Sequence, residues 1–509
     1  MIRADSSSYP WPRGALLAAA ALALLSGCTV GPDFRRPAAP PENSIATGKP
    51  PPGIQVGGHI ADDWYRLFGS EAVDALVRRA LRQNPDLQAA RAAIGVARYQ
   101  LAATHGQALP QLDGELLANR QRANIGALTH IPRVGVNISN QFRSTVTLSY
   151  DLDPFGKLKR GVEADQAAVD YARAQALDTY ITLADQVVRT AFQLAAAEAR
   201  IEATDKLIAA ERRGLDLTRM QERVGTVPRA ATLTAQAQLE GTEATLPALE
   251  QQRDAAAAAL AALVGETPAG FSVPPVRLAD FTLPEKVPLS LPAQLVRQRP
   301  DLLAAEAELH QASARIGIRA AQRWPDISLT AAYGTLTSDS GTVFDAANAL
   351  WTLTGQITAP LFHGGALKAQ ENQAKTEYLA AAARYRGTML NAFADVATAL
   401  RAVEHDAATL AARRRALITA RQALALSRDQ FSAGAVDELQ VLTAQREYRT
   451  ELLAVIDARA RRFDDVAALF HALGGGWWNA DGDPVPALTA ADYRDPAPTA
   501  AATDKPDEH

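Results

Sequence analysis

The sequence predicts a mainly α-helical chain with a membrane β-barrel portion. It has long coiled-coil helical hairpins in an internal two-fold repeat, with four β-strands per chain. Three observations carry this. Leu81-Arg82-Gln83-Asn84-Pro85-Asp86-Leu87 returns as Val296-Arg297-Gln298-Arg299-Pro300-Asp301-Leu302, at an offset of 215 that also carries Pro110 onto Pro325. Four segments of about ten residues alternate apolar and polar side chains. Proline is absent from Lys157 to Val224 and from Leu361 to Gly476, where apolar residues recur at spacings of three and four.

Composition removes several alternatives. The chain has 509 residues, with 52 Lys+Arg against 56 Asp+Glu and a net charge of −4, so it lacks the basic excess of a nucleic-acid binder. Mean hydropathy is −0.11, far too polar for a polytopic helical membrane protein. One apolar run, Gly14–Leu25, stands out, and it is too short to span a bilayer as a helix. A single cysteine precludes an intrachain disulfide.

The elements follow in order. Arg3 and Arg13 precede the apolar run, which ends at Leu25-Ser26-Gly27-Cys28. Charged n-region, short h-region and small-residue cleavage site make residues 1–27 a lipoprotein signal peptide. Its cleavage leaves Cys28 as the new N-terminus and the site of lipidation. Each buried methylene of an acyl chain there contributes about 0.8 kcal/mol of anchoring. Thr29, rather than Asp, follows, which favours the outer membrane. Residues 28–61 are rich in Pro and Gly and read as a lipid-anchored extended strap.

The first repeat covers 62–270. An Ala-rich helix over about 71–108 meets Pro110, then strands over about 111–122 and 141–153, then a helical hairpin over 157–263. The second covers 280–476, with a helix over about 293–323, strands over about 326–336 and 350–361, and a hairpin over 365–473. Leu177, Tyr180, Ala184, Val187, Ala191 and Leu194 form one seam, and Met389, Ala392, Val396, Ala399 and Val403 the other. A helix over 157–223 is about 100 Å long at 1.5 Å per residue. Gly225 and Gly434 are suited to end a helix in the left-handed region. Pro247 predicts a kink in the first returning helix. The tail, 477–509, reads as disordered beyond residue 484.

Four strands cannot close a membrane barrel alone, and an open edge is not tolerated in lipid. The strands must therefore join those of other copies: a dimer supplies eight and a trimer twelve, and only twelve leaves a lumen. Polar residues of the alternating segments would line it: Asp113, Glu115, Arg143, Thr145, Thr147, Asp151, Thr352, Thr354 and Gln356.

A family resemblance then enters. Cys28-Thr29-Val30-Gly31-Pro32-Asp33-Phe34 resembles the start of outer membrane efflux lipoproteins of the TolC/OprM type, NodT-like subgroup. Trp64-Tyr65-Arg66-Leu67-Phe68, Asn84-Pro85-Asp86-Leu87, Arg299-Pro300-Asp301-Leu302, Ala314-Arg315-Ile316-Gly317 and Leu473-Gly474-Gly475-Gly476-Trp477 are similar too, and the likeness runs through nearly the whole mature chain. It implies a homotrimer with a twelve-stranded barrel in the outer membrane of a Gram-negative bacterium and a helical tunnel in the periplasm. It also implies a periplasmic membrane-fusion adaptor and an inner-membrane RND-type pump as partners, and export of drugs or other small toxic molecules. A type I protein-secretion conduit would use the same fold, and a lipid-anchored periplasmic scaffold without a pore is a third class. The alternating strands argue against the scaffold, which has no need of them.

The resemblance also assigns the tips. Val224, Gly225, Thr226, Ala433, Gly434 and Ala435 would dock the adaptor, and Asp437 with Glu438 would form the periplasmic gate. In a trimer three Asp437 carboxylates would form a ring that attracts cations and repels anions. The plainer reading is that both acids favour a helix N-terminus through the helix dipole.

No catalytic signature is present: no G-x-S-x-G, no phosphate-binding glycine loop and no H-E-x-x-H. The eight histidines have no ligand spacing on one helix face, so no metal is expected. No cofactor is expected beyond the covalent lipid on Cys28, and the chain reads as a non-enzyme.

Overall fold

A computed structural model describes residues 29–38, 54–56, 60–124, 136–284, 287–289 and 292–492. Cys28 and residues 493–509 lie outside them. The chain divides into two compact units.

The first unit takes its described residues from Met1–Arg36, Val96–Asp170 and Glu306–Arg384. Its centre is an antiparallel sheet of four strands. These are β2 (Gln111–Asn124), β3 (Val136–Asp151), β5 (Asp326–Thr337) and β6 (Ala349–Thr358), in the order β2-β3-β5-β6. Each repeat supplies one hairpin, and the hairpins join through β3 and β5. Among the described residues β2 and β6 are paired on one side only. β6 ends at Thr358, short of the expected 361, because Pro360 has no N–H for the ladder.

The second unit takes its described residues from Pro37–Gly95, Tyr171–Ala305 and Tyr385–His509. The strap strand β1 (Ile54–Val56) pairs in parallel with β4 (Val287–Leu289). Helices α1 (Glu71–Gln83), α6 (Pro292–Gln298) and α9 (Glu438–Ala472) lie wholly in this unit, as do α4 (Arg229–Glu243) and α5 (Leu246–Leu263). Four helices have turns in both units: α2 (Pro85–Gln107), α3 (Lys157–Arg223), α7 (Pro300–Ala321) and α8 (Ala366–Ser432). The duplication is quantitative, since α3 and α8 are both 67 residues long.

The expected seams pack inward. Leu177, Ala184, Val187, Ala191 and Leu194 are buried, as are Ala392, Val396, Ala399 and Val403; Tyr180 and Met389 are half-buried. Around them Trp64, Phe68, Phe192, Phe281, Phe463 and Phe470 form an aromatic cluster with edge-to-face and stacked contacts, such as Phe68–Phe192 at 4.9 Å. Such pairs add about 0.5–1.5 kcal/mol beyond area burial.

The repeated Asn/Arg-Pro-Asp-Leu motif has a matched task in both halves. The Asn84 amide donates to the Leu263 carbonyl at 3.0 Å, while its oxygen accepts from the Leu87 N–H. At the equivalent position Arg299 donates to the Ala472 carbonyl at 2.9 Å. Each ties the start of its own repeat to the end of its returning helix, where backbone carbonyls lack intrahelical partners.

Several expectations are corrected. The helices expected over about 71–108 and 293–323 are each two, α1 with α2 and α6 with α7, parted at Asn84 and Arg299 because a following proline disfavours helical backbone in the residue before it. Pro247 does not kink one helix; the returning helix of the first repeat is broken between Glu243 and Leu246. Proline sits in the first turn of α5, where no intrahelical N–H bond is lost. The returning helix of the second repeat, α9, has no proline and is unbroken. The tail is ordered through residue 492: Val485 is buried and the Leu488 N–H donates to the Arg91 carbonyl at 3.2 Å. Pro/Ala composition suggested disorder there, but Val485 in an apolar cluster and the hydrogen bonds of Arg91 with Pro484 and Leu488 hold the segment.

Candidate functional site

The sheet sorts its side chains by register. Asp113 faces Thr147, and Glu115 faces Thr145, across β2 and β3. Thr147 faces Ala332 and Asp151 faces Ser328 across β3 and β5; Ala332, Thr330 and Ser328 then face Thr352, Thr354 and Gln356 across β6. Opposed residues in a ladder share a face, because side chains alternate with period two. All nine residues expected to line a lumen therefore lie on one face. Arg143 donates to Glu115 at 3.0 Å on that face. Leu117, Leu336 and Leu350 interrupt it, grouped around Arg143 and Gly334.

The opposite face is apolar. Leu112, Leu116, Val146, Leu148, Leu329, Tyr333, Trp351, Leu353 and Ile357 alternate onto it, and all are exposed, Leu116 and Trp351 to 74%. A contiguous exposed apolar surface of this extent has to meet lipid or protein.

The two hairpin tips are built alike. Gly225 and Gly434 have φ of 80° and 71°, in the left-handed region that costs glycine nothing. The Thr226 N–H donates to the Gln221 carbonyl, and the Ala435 N–H to the Gln430 carbonyl, both at 2.9 Å. The Gly225 and Gly434 N–H groups close the inner bonds onto Glu222 and Phe431, each at 3.0 Å. These are paired Schellman caps. Val224, Gly225, Ala433, Gly434 and Ala435 are exposed, and Thr226 with them.

Asp437 and Glu438 follow the second tip with different surroundings. The exposed Asp437 caps α9, its Oδ1 accepting from the Gln440 N–H at 3.1 Å. Such a cap contributes about 0.5–2 kcal/mol. Glu438 is half-buried, and its Oε1 accepts from the Thr218 hydroxyl at 2.9 Å, which ties α9 to α3. The plainer reading of Asp437 thus has a definite geometry, whatever further part it takes.

Sequence reasoning missed a clamp beneath the strap. Arg160, nearly buried, donates to Asp33 at 2.7 Å and to Glu163 at 2.6 Å. Glu163 also meets the His310 ring at 3.0 Å, and His310 stacks on Phe34 with ring centroids 4.2 Å apart. Arg36 pairs with Glu306. The Gly-Pro-Asp-Phe run signals the strap, but its partners Arg160, Glu306 and His310 lie far along the chain, which no local pattern reveals. His310 is a packing residue. Among the described residues no cluster of His, Cys, Asp and Glu has the geometry to hold a metal.

Two carboxyls in the helical unit, the half-buried Asp465 and the buried Asp185, have displaced titration. Burial, then the hydrogen bond that the protonated Asp465 donates to Asp406, pushes Asp465 up to about 7. Burial also raises Asp185, against the pull of His471 and Arg189.

Comparison with known proteins fits this geometry. The family model for outer membrane efflux proteins matches residues 76–266 and 291–475. The cation efflux system protein CusC of Escherichia coli is 27% identical over 455 residues, covering 89% of this chain and 97% of CusC. The toluene efflux pump outer membrane protein TtgC of Pseudomonas putida is 28% identical over 465 residues, covering 90% and 95%. The solved outer-membrane channel OprN superposes with a TM-score of 0.82 at 25% identity, over 88% of this chain and all of OprN. The open-state outer membrane channel MtrE of Neisseria gonorrhoeae gives 0.78 at 26%, over 88% and 98%. With two matched repeats, four antiparallel strands and paired helical hairpins, the chain belongs to the outer membrane efflux protein family.

Proposed function

We propose that the chain is the outer membrane channel of a tripartite, RND-type efflux system, through which drugs or other small toxic molecules pass without chemistry of the channel's own. The observation that carries this is the register of the sheet. It gathers Asp113, Glu115, Arg143, Thr145, Thr147, Asp151, Thr352, Thr354 and Gln356 on one face and a continuous apolar surface on the other. An open four-stranded sheet with an apolar face needs closure in lipid. Three copies supply twelve strands and an aqueous lumen.

In this reading Cys28 carries the lipid, and the Arg160 clamp holds the first residues beyond it. The glycine tips meet a periplasmic membrane-fusion adaptor, which links the channel to an inner-membrane pump. In the same reading the exposed Asp437 guards the periplasmic constriction, because an unguarded duct leaks solutes, and Glu438 supports it by tying α9 to Thr218. The names of CusC and TtgC speak for efflux as the use of this fold. The test is purification in mild detergent, native mass spectrometry and insertion into planar bilayers. Three copies per particle and discrete conductance steps are expected; a stable monomer that never conducts refutes the proposal.

A further inference from the structure

A cavity of about 300 Å³ lies between α3, α4, α8 and α9, close to the two tips. It is at the lower end of the size range of small-molecule sites and about ten times the share of one water molecule in the liquid. Leu215, Phe431 and Leu442 give it an apolar wall.

Two carboxylates break that wall. Glu211 is 6% exposed; one oxygen accepts from the Gln238 amide at 3.3 Å, and its Oε2 is buried with no hydrogen-bond partner. Glu438 repeats the pattern: Thr218 occupies Oε1, and the buried Oε2 has no partner. Buried carboxylate oxygens without donors are costly, so such groups recruit a cation or a donor. Arg428 also lines the cavity and makes no ion pair among the described residues. Two carboxylates and one guanidinium leave one uncompensated negative charge.

We propose that this cavity binds a small amphiphilic organic cation, an apolar body bearing one ammonium group. The ammonium would donate to Glu211 Oε2 on α3, the charge of Glu438 on α9 would favour it from the same cavity, and the body would lie against Leu215, Phe431 and Leu442. A bare metal ion is a poorer fit, because two carboxylates and apolar carbon leave its coordination shell incomplete. Bound in this way, the cation links the first hairpin to the second, and so stabilises this arrangement of helices by mass action. The inference stands independently of what the chain transports.

The test uses the full chain in detergent, titrated calorimetrically with phenethylammonium chloride and with its neutral isostere 2-phenylethanol. One saturable site per chain is expected, at least tenfold tighter for the cation. Glu211→Gln and Glu438→Gln keep the bonds to Gln238 and Thr218 and should each weaken binding at least fivefold. Arg428→Gln removes a competing cation and should tighten it. Gly214 also lines the cavity, and a Cβ there meets nothing within 4 Å, so Gly214→Leu fills the space and should abolish binding with both carboxylates in place. Absence of saturable binding, equal affinity for 2-phenylethanol, or unchanged affinity in Gly214→Leu overturns the proposal.

Discussion

Gly317→Ala should loosen the strap in the wild-type chain and leave it unaffected once Arg160 is gone. A Cβ on Gly317 would lie 2.8 Å from Arg160 Cγ, 2.9 Å from Cδ and 3.0 Å from Nε, where carbon contacts prefer 3.5–4.0 Å. Arg160 can yield only by leaving Asp33 and Glu163, which hold it at 2.7 and 2.6 Å. Overpacking of this kind costs about 1–3 kcal/mol. The Asp33 side chain is 88% exposed, so its own ion pair is screened and adds little. In Arg160→Ala the clash is absent, and Ala in place of Gly within α7 gains about 1 kcal/mol of helix propensity. The coupling between the two sites is therefore about 1–3 kcal/mol. Trypsin cleavage after Arg35 reports strap release, because the rate follows the population of the opened strap when reclosing is fast. Gly317→Ala should speed cleavage about 5- to 150-fold in the wild type and not at all in Arg160→Ala. Additive effects in the two backgrounds would refute the clamp.

Three further outcomes follow from the geometry. Leu148→Lys or Leu353→Lys, on the apolar face, should destabilise the membrane-inserted protein by about 2–4 kcal/mol near the bilayer midplane, while Thr147→Lys should not, as read by denaturant titration in lipid. Asp465 is raised to about 7 in the folded chain against an ordinary carboxylate when unfolded. The folded state then binds more protons, so its stability falls as pH climbs from about 4 to 7; Asp465→Asn should flatten this slope in thermal melts and raise Tm at pH 8. Asp437→Ala should remove the cap on α9, costing about 0.5–2 kcal/mol, and in planar bilayers should raise conductance or weaken blockade by multivalent cations. If stability falls while conductance, selectivity and blockade stay at wild-type values, Asp437 is a cap and no gate.

The features legible in the sequence are those with a period. Thr145, Thr147, Thr352 and Thr354 could be placed on one face because alternation survives in one dimension. The seam at Ala184, Val187 and Ala191 was legible for the same reason, and Gly225 and Gly434 because glycine takes the left-handed end of a helix without strain. What stayed hidden depends on distant partners. Nothing near Arg160 announces Asp33, and nothing near Glu211 announces Gln238 or Glu438. Pro247 was visible, but whether it bends a helix or starts a new one is decided by the turn before it. Val485 was lost in a Pro/Ala-rich tail because composition weighs an average, whereas packing acts on one side chain.

The central claim is that the polar face of the sheet lines a water-filled lumen and the apolar face meets lipid. Cys28 is the only cysteine of the chain, and in the proposed reading its sulfur is closed as the lipid thioether, so an introduced cysteine is the sole free thiol. Thr147→Cys, Leu148→Cys, Leu353→Cys and Thr354→Cys, reconstituted in planar bilayers, would be treated with a charged, membrane-impermeant methanethiosulfonate. Modification at 147 and 354 with a stepwise fall in conductance, and no reaction at 148 and 353, is the predicted result. Reaction at 148 and 353, or equal reaction at all four positions, would contradict it.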